Sequence, residues 1–358
     1  MTAQNAIPKT MCGAMLLGPE HIEIRETPVV PPGRGEILLR VRAATTCGTD
    51  VKVYRRGGHA RMLTPPTLFG HEMAGEVAAA GKGVTGFTVG DAVVVANSAP
   101  CLECAYCRVS RENLCRDLRY LNGAFAAYLL VPERFVRTST YRKPAGLGFE
   151  KAALAEPLAC VLHGMEACGL DAQDETGAIE AIVYGAGPIG LLHVAALKRA
   201  GYRVIAADPN QPRLEAAQAL GADEIVAIER GGGQAETVKT RTAGGLGADF
   251  AIDCTGVPAV WADAIVSVRP GGVVNLFGGC PADTTVPLDT QWMHYSEITV
   301  KGVYHHRPAM VRQALTMLAD PAFEAERLLS GERPIAEVEE ALRSMMRKEA
   351  LKVVIKAS

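Results

Sequence analysis

Ala181-Ile-Val-Tyr-Gly-Ala-Gly-Pro-Ile-Gly190 is the stretch on which the fold turns. Four strand-forming residues run into Gly185-x-Gly187-x-x-Gly190, and a helix-forming segment follows from Leu191. By itself the glycine spacing is weak evidence. Its setting makes it strong: an apolar strand before it, a helix after it, and Asp208 eighteen residues past the last glycine, at the end of a second apolar run. The glycines allow a tight turn and close approach of the backbone to a pyrophosphate, and the unpaired N–H groups of the helix N-terminus face that anion. Gly185, Gly187, Pro188, Ile189 and Gly190 are therefore the candidate cofactor cradle, joined by Thr255 after the apolar run 250–254. Asp208 is placed to accept both ribose hydroxyls and to repel a 2′-phosphate, so NAD is expected rather than NADP. Arg213 is the nearby cation that opposes this preference.

Outward from this segment, strand-like runs at 181–184, 203–207, 224–228, 250–254 and 273–277 alternate with helical stretches at 191–199 and 211–220. That rhythm predicts an α/β domain with a doubly wound parallel sheet. Before about residue 155 the pattern is different: short β-type runs, such as 36–42 and 91–95, punctuated by Gly and Pro. After about residue 295 come a β-like run at 298–303, helical stretches and a closing strand at 351–356. A chain of 358 residues is long for one core, and two domains are expected. The net charge of −2 gives no electrostatic reason to expect nucleic acid or an anionic membrane as partner. The apolar stretch 181–197 is interrupted by Gly185, Gly187, Pro188, Gly190 and His193, and reads as strand into helix rather than as a membrane span. With no apolar leader near Met1, the expected compartment is the cytoplasm.

Ten cysteines are present, and four crowd together as Cys101, Cys104, Cys107 and Cys115. Four thiolates at this spacing can close tetrahedrally on one zinc with no position left open, which makes the ion a structural staple for the lobe at about 98–118. An iron–sulfur cluster is the rival occupant. A second, scattered set is Cys47, His71, Glu72 and Glu156: one thiolate, one imidazole and a carboxylate are the ligands of a catalytic zinc whose fourth position stays open. Cys12, Cys160, Cys168, Cys254 and Cys280 are read as small buried apolar residues.

Gly70-His-Glu-Met-Ala-Gly75, continuing to Gly81, Val84, Gly90 and Asp91, resembles the zinc signature of the medium-chain dehydrogenases, and the four-cysteine lobe and the dinucleotide motif follow in that family's order. The resemblance covers essentially the whole chain. Glu156-Pro157-Leu158 is similar to the sorbitol (polyol) and threonine dehydrogenase branches. The resemblance implies a GroES-like catalytic domain over 1–157, a Rossmann domain over 158–294, and a return to the catalytic domain over 295–358. It implies Cys47 and His71 as zinc ligands, with Glu72 or Glu156 as the third, and Thr49 as the hydroxyl touching the substrate oxygen. Where many relatives end the proton relay in histidine, this chain has Lys52, which either takes over the relay or contacts the cofactor ribose.

The expectation is an enzyme with two zinc ions per chain and NAD, a homotetramer or homodimer, that oxidises a polyol, cyclitol or sugar-like secondary alcohol to a ketone. Amino alcohols and simple alcohols are the alternatives within that chemistry. A zinc-free reductase, a lyase or epimerase using the same parts, and a non-catalytic NAD-binding or crystallin-like protein are the rivals outside it. His59, Phe69, Trp292, His305 and His306 are candidates to line the substrate pocket.

Overall fold

The computed structural model describes residues 7–170 and 179–357. The apolar run before the first glycine forms the strand Glu180–Tyr184, every residue of which is buried. It lies inside a six-stranded parallel sheet ordered Glu224–Ala227, Arg203–Asp208, Glu180–Tyr184, Ala248–Asp253, Val268–Leu276, Thr299–Gly302. Burial on both faces explains why these strands are continuously apolar instead of alternating. The chain winds to one side of Glu180–Tyr184 and then crosses to the other. The strand order thus reverses at the glycine turn, where the carboxyl ends of the strands open a crevice. Ile182, Tyr184, Ile205, Ala251 and Val274 pack with Val260 and Ala264 of the helix Pro258–Val266 to form this unit's core.

The β-rich unit is organised around the strand Ile37–Thr45. It pairs antiparallel with Glu72–Ala80, with Tyr128–Val131 and, at its end, with Lys352–Lys356. The register sets Thr45 opposite Glu72, and Ala44 and Thr45 opposite Ile355 and Val354. Residues from the first and last parts of the chain therefore meet just before Cys47. Leu39, Val41, Val53, Phe69, Met73, Phe125 and Ile355 belong to its core.

Two compact units result: residues 1–159, 307–321 and 328–358, and residues 160–306 and 322–327. The expected return at 295 differs from this division. Thr299–Gly302 pairs in parallel with Val268–Leu276, which keeps the chain in the dinucleotide-type sheet as far as residue 306. The strand expected at 250–254 ends at Asp253, because its carboxylate accepts the N–H groups of Thr255 and Gly256 and turns the backbone. Cys160 and Cys168 are buried as expected, whereas Cys12 is exposed, paired across from Glu26 in a hairpin. The stretch 181–197 is a strand and a helix, and no helix among the described residues is long and apolar enough to cross a membrane.

Candidate active site

Cys47 is the N-cap of the helix Gly48–Arg56. Its sulfur accepts from the Thr49 N–H at 3.4 Å, and its own N–H donates to Asp50 Oδ2 at 2.9 Å, a reciprocal capping box that fixes the thiol's direction. The other oxygen of Asp50 accepts from His71 Nδ1 at 2.8 Å, and both side chains are almost fully buried. With Nδ1 held by a carboxylate, Nε2 is the nitrogen left for a cation. A metal-ligating histidine needs this outer-shell arrangement. Burial opposes a charge on His71, but Asp50 and the Cys47 sulfur hold its pKa well above the ordinary value. The ligand atoms of Cys47, His71 and Glu72 lie within 4.8 Å of one another.

Glu72 is already engaged. The fully buried Lys352 places Nζ 2.9 Å from Oε1 and 2.7 Å from Oε2 of Glu72, and donates to the Thr46 carbonyl at 2.7 Å. The Thr45 hydroxyl donates to Glu72 as well. Burial alone would drive Lys352 towards neutrality. Glu72, helped by Cys47 and Asp50, outweighs burial and leaves the lysine pKa above its usual value. Glu156, on the helix Ala155–Ala167, stands outside the Cys47–His71–Glu72 group, though His71, Glu72, Lys352 and Asp50 all act on it. Burial pushes its carboxyl up to about 7. Sequence reasoning missed Asp50 and Lys352. The acid in Cys47-Gly-Thr-Asp50 and the lone cation opening an apolar terminal strand were the available signals.

Cys101, Cys104, Cys107 and Cys115 converge as the spacing implies. Sulfur–sulfur separations are 3.9 Å for Cys101 and Cys107, 3.6 Å for Cys104 and Cys107, and 3.4 Å for Cys101 and Cys115. A tetrahedron with bonds of about 2.3 Å has edges of about 3.8 Å, so the four thiols fit one zinc. The N–H groups of Glu103 and Cys104 point at the Cys101 sulfur, and that of Cys101 at the Cys115 sulfur. Such N–H groups favour thiolate, and backbone donors, those of Arg116 and Cys107 foremost, lower Cys104 to about 6.

At the glycine turn Gly185 and Gly190 each have a steric reason. Gly185 has φ of +92°, and a Cβ there would meet the Thr255 methyl at 2.7 Å. A Cβ on Gly190 would lie 1.8 Å from the Gly185 carbonyl oxygen. Gly187 caps the helix Pro188–Arg199, whose first turn begins with Pro188 and Ile189. Asp208 is buried at the end of its strand and accepts from Ala186 N at 2.7 Å and from Asn210 N at 2.8 Å. Arg213 extends over the turn, with Nη1 3.8 Å from where a Gly187 Cβ would be, and its buried Nε has no hydrogen-bond partner among the described residues. The cradle thus offers N–H groups, a carboxylate and an unspent guanidinium donor, which suits a dinucleotide.

Residues 33–140 match the alcohol dehydrogenase GroES-like domain, and residues 188–320 match the zinc-binding dehydrogenase family. The sorbitol dehydrogenase of Bacillus subtilis (strain 168) is 32% identical over 98% of this chain and 98% of its own length. The chain belongs to the zinc-binding dehydrogenase family. The D-altritol 5-dehydrogenase of Agrobacterium fabrum is 35% identical over 88% of this chain and 90% of that protein. Among solved structures, a Sinorhizobium meliloti 1021 protein bound to NADP superposes with a TM-score of 0.87 at 28% identity, covering 98% of this chain and all of that one. Zinc and a nicotinamide dinucleotide are the cofactors of this dehydrogenase, which combines a GroES-like domain with a Rossmann-type one.

In the dinucleotide-binding unit of the dehydrogenase, Thr255 has a supporting part. Its N–H and hydroxyl both donate to the buried Asp253 at 3.1 and 2.6 Å, and Trp261 Nε1 donates to the same carboxylate at 3.0 Å. Phe69, a candidate for the pocket, is instead core, set edge-on against Phe125.

Proposed function

We propose that this dehydrogenase oxidises a secondary alcohol flanked by a further hydroxyl, in a polyol, cyclitol or sugar-like substrate, to the ketone. In the balanced reaction the alcohol and oxidised NAD give the ketone, NADH and one proton. The observation that carries the proposal is the half-buried Cys47 and the buried His71, both oriented by one carboxylate, Asp50, beside Glu72 and Glu156. When bound, zinc supplies a Lewis acid that eases loss of the hydroxyl proton, and the dinucleotide supplies the hydride acceptor.

In this reading Cys47, His71 and Glu156 hold the catalytic ion. Glu156 is preferred over Glu72 because Glu72 is already neutralised by Lys352, whereas burial raises the Glu156 carboxyl to about 7. A carboxylate in place of a second thiolate makes the ion harder and better suited to two neighbouring substrate oxygens. The Thr49 hydroxyl receives the substrate proton. Lys52 lies three residues on along the same helix and is exposed, so it continues the path to solvent. The four cysteines of the lobe hold the second, structural zinc. The carboxylate of Asp208 favours NAD over NADP, and Arg213 tempers that preference.

Sorbitol and altritol dehydrogenases among the relatives support the polyol reading by name. The enzyme is expected to work as a cytoplasmic homo-oligomer. The test compares kcat/KM for 2,3-butanediol with 2-butanol and for a cyclitol with cyclohexanol. A vicinal hydroxyl with a polar partner is worth about 1–3 kcal/mol, or roughly ten- to a hundredfold. Equal or better turnover of the plain alcohols rejects the polyol assignment, and release of an eliminated or epimerised product rejects the dehydrogenase outcome.

A further inference from the structure

In the parallel sheet the strand Glu180–Tyr184 lies between Arg203–Asp208 and Ala248–Asp253, and both neighbours end in a buried aspartate. Tyr184 pairs with Ala207 on one side and with Asp253 on the other, so the two carboxylates stand at nearly the same level, at the rim where the glycine turn opens. A doubly wound sheet binds a dinucleotide across this rim, with one half on each side of the switch point. Asp208 lies on the half assigned above to the adenosine ribose. Asp253 therefore lies on the half that receives the nicotinamide.

Asp253 has no capacity left for a ribose. Its Oδ1 accepts from the N–H and the hydroxyl of Thr255 at 3.1 and 2.6 Å, and its Oδ2 accepts from Gly256 N and Trp261 Nε1, each at 3.0 Å. The Thr255 hydroxyl in turn accepts from Val257 N at 3.1 Å, which leaves its hydrogen to Asp253. Four donors fill the acceptor capacity of a carboxylate, and a proton on either oxygen would be set against two of them. The group is therefore ionised, although it is 0% exposed and burial by itself pushes its pKa up. All four donors are neutral, and among the described residues no lysine, arginine or histidine forms an ion pair with it. A charge so deeply buried is ordinarily matched by an opposite one. The turn that carries it is closely packed: a Cβ on Gly278 would lie 2.5 Å from Asp253 Oδ2, and Trp261 Nε1 also donates to the Gly278 carbonyl at 2.9 Å. A Cβ on Gly185, in the cradle itself, would meet the Thr255 methyl at 2.7 Å, so the carboxylate's turn abuts the cofactor site.

We infer that Asp253 is the counter-charge of the oxidised nicotinamide ring, a fixed buried anion that favours the pyridinium form of the dinucleotide over the neutral reduced form. In the reaction a hydride, carrying two electrons, leaves the carbinol carbon for the ring, and the hydroxyl proton leaves for solvent. The positive charge of the ring disappears in that step, and the attraction to Asp253 goes with it. The carboxylate itself stays ionised and forms no bond. On the enzyme the equilibrium is thereby drawn towards alcohol and oxidised dinucleotide, whichever alcohol is the substrate. The inference rests on the nicotinamide dinucleotide of the family and on NAD as its form, and it is independent of the polyol reading.

The test reads binding rather than turnover. Dissociation constants of NAD, NADH and ADP-ribose are measured by calorimetric titration of the zinc-loaded wild type, Asp253→Asn and Trp261→Phe. In Asp253→Asn the ratio of the NAD to the NADH dissociation constant should rise about tenfold, as expected for losing one unit charge from a poorly solvated site. ADP-ribose, which lacks the charged ring, should bind that variant nearly as well as wild type. Trp261→Phe removes one donor and keeps the charge, so its ratio should stay close to that of wild type. Wild type also supplies a measurement that needs no variant to fold: the benzamide analogue of NAD, with an uncharged ring of the same shape, should bind several-fold more weakly than NAD. An unchanged ratio in Asp253→Asn, an equal loss of ADP-ribose affinity, the same shift in Trp261→Phe, or an analogue that binds as well as NAD overturns the inference and leaves Asp253 as the brace of its turn. None of these outcomes bears on the polyol reading, which is decided by the turnover of vicinal diols. Failure of wild type to bind both NAD and NADH overturns the NAD reading together with this one.

Discussion

Lys352→Met removes the cation from the most buried ion pair of the candidate site while keeping much of the side chain's length. Lys352 and Glu72 are 1% and 0% exposed, and the ammonium also serves the Thr46 carbonyl. The variant leaves Glu72 as a buried carboxylate with only the Thr45 hydroxyl on it and strips a donor from Thr46. Breaking such a pair from one side costs about 3–5 kcal/mol, because the surviving charge has no water to return to. For a protein of this size that is a fall in melting temperature of roughly 4–7 °C. Urea unfolding of zinc-loaded protein at neutral pH, on Lys352→Met, Glu72→Gln and the double variant, completes the cycle. The double variant should cost at least about 2 kcal/mol less than the sum of the singles, since the amide that replaces the Glu72 carboxylate carries no charge to strand. A cost below about 1 kcal/mol for Lys352→Met, or additivity within about 0.5 kcal/mol, would refute the view that Glu72 is held neutralised by Lys352 and so is not free to act as a ligand.

Glu156, raised by burial to about 7, contributes stability to the metal-free chain that is complete below the ordinary carboxylate range and is lost as pH rises through 7. The loss is at most about 3 kcal/mol. Chelator-stripped protein should melt lower at pH 8 than at pH 5.5, and Glu156→Gln should remove most of that slope and weaken zinc binding; the same slope in the variant argues against the assignment. Metal analysis should find two zinc ions per chain, and Cys104→Ser should lose one together with thermal stability, since structural zinc binding is coupled to folding; a content of one or less in wild type rejects the two-site reading. With NAD and NADP at equal subsaturating concentrations, wild type should turn over faster with NAD, and Asp208→Ala should narrow the gap; faster NADP turnover in wild type would mean that Arg213, not Asp208, governs the choice.

What is legible in the sequence here is what short-range geometry dictates. Gly185 and Gly190 are glycines because a Cβ would strike Thr255 or the loop's own carbonyl, and that necessity leaves a spacing visible to the eye. The four cysteines of the lobe are likewise confined to fifteen consecutive positions. The pairings that decide the active site are of the opposite kind. Asp50 meets His71 across 21 residues and Lys352 meets Glu72 across 280, and both depend on strand register at Ile37–Thr45 that no local pattern encodes. The return of the chain reads as falling at 295 for the same reason: a β-like run such as 298–303 does not announce which sheet it joins.

Asp50 connects these two scales. One oxygen completes the capping box that starts the Cys47 helix, a local and sequence-adjacent task, and the other orients His71 from a separate part of the β-unit. A single buried carboxylate thus sets the direction of the sulfur and of the imidazole together, and an error in one is an error in both. Glu72, next to His71 in sequence, points instead to the Lys352 strand, which ties the metal-ligand segment to the chain's last strand. The directions of the proposed ligands Cys47 and His71 are therefore set by contacts within the folded β-unit. That is the preorganisation a catalytic site needs if the energy of binding the ion is not to be consumed in arranging its ligands.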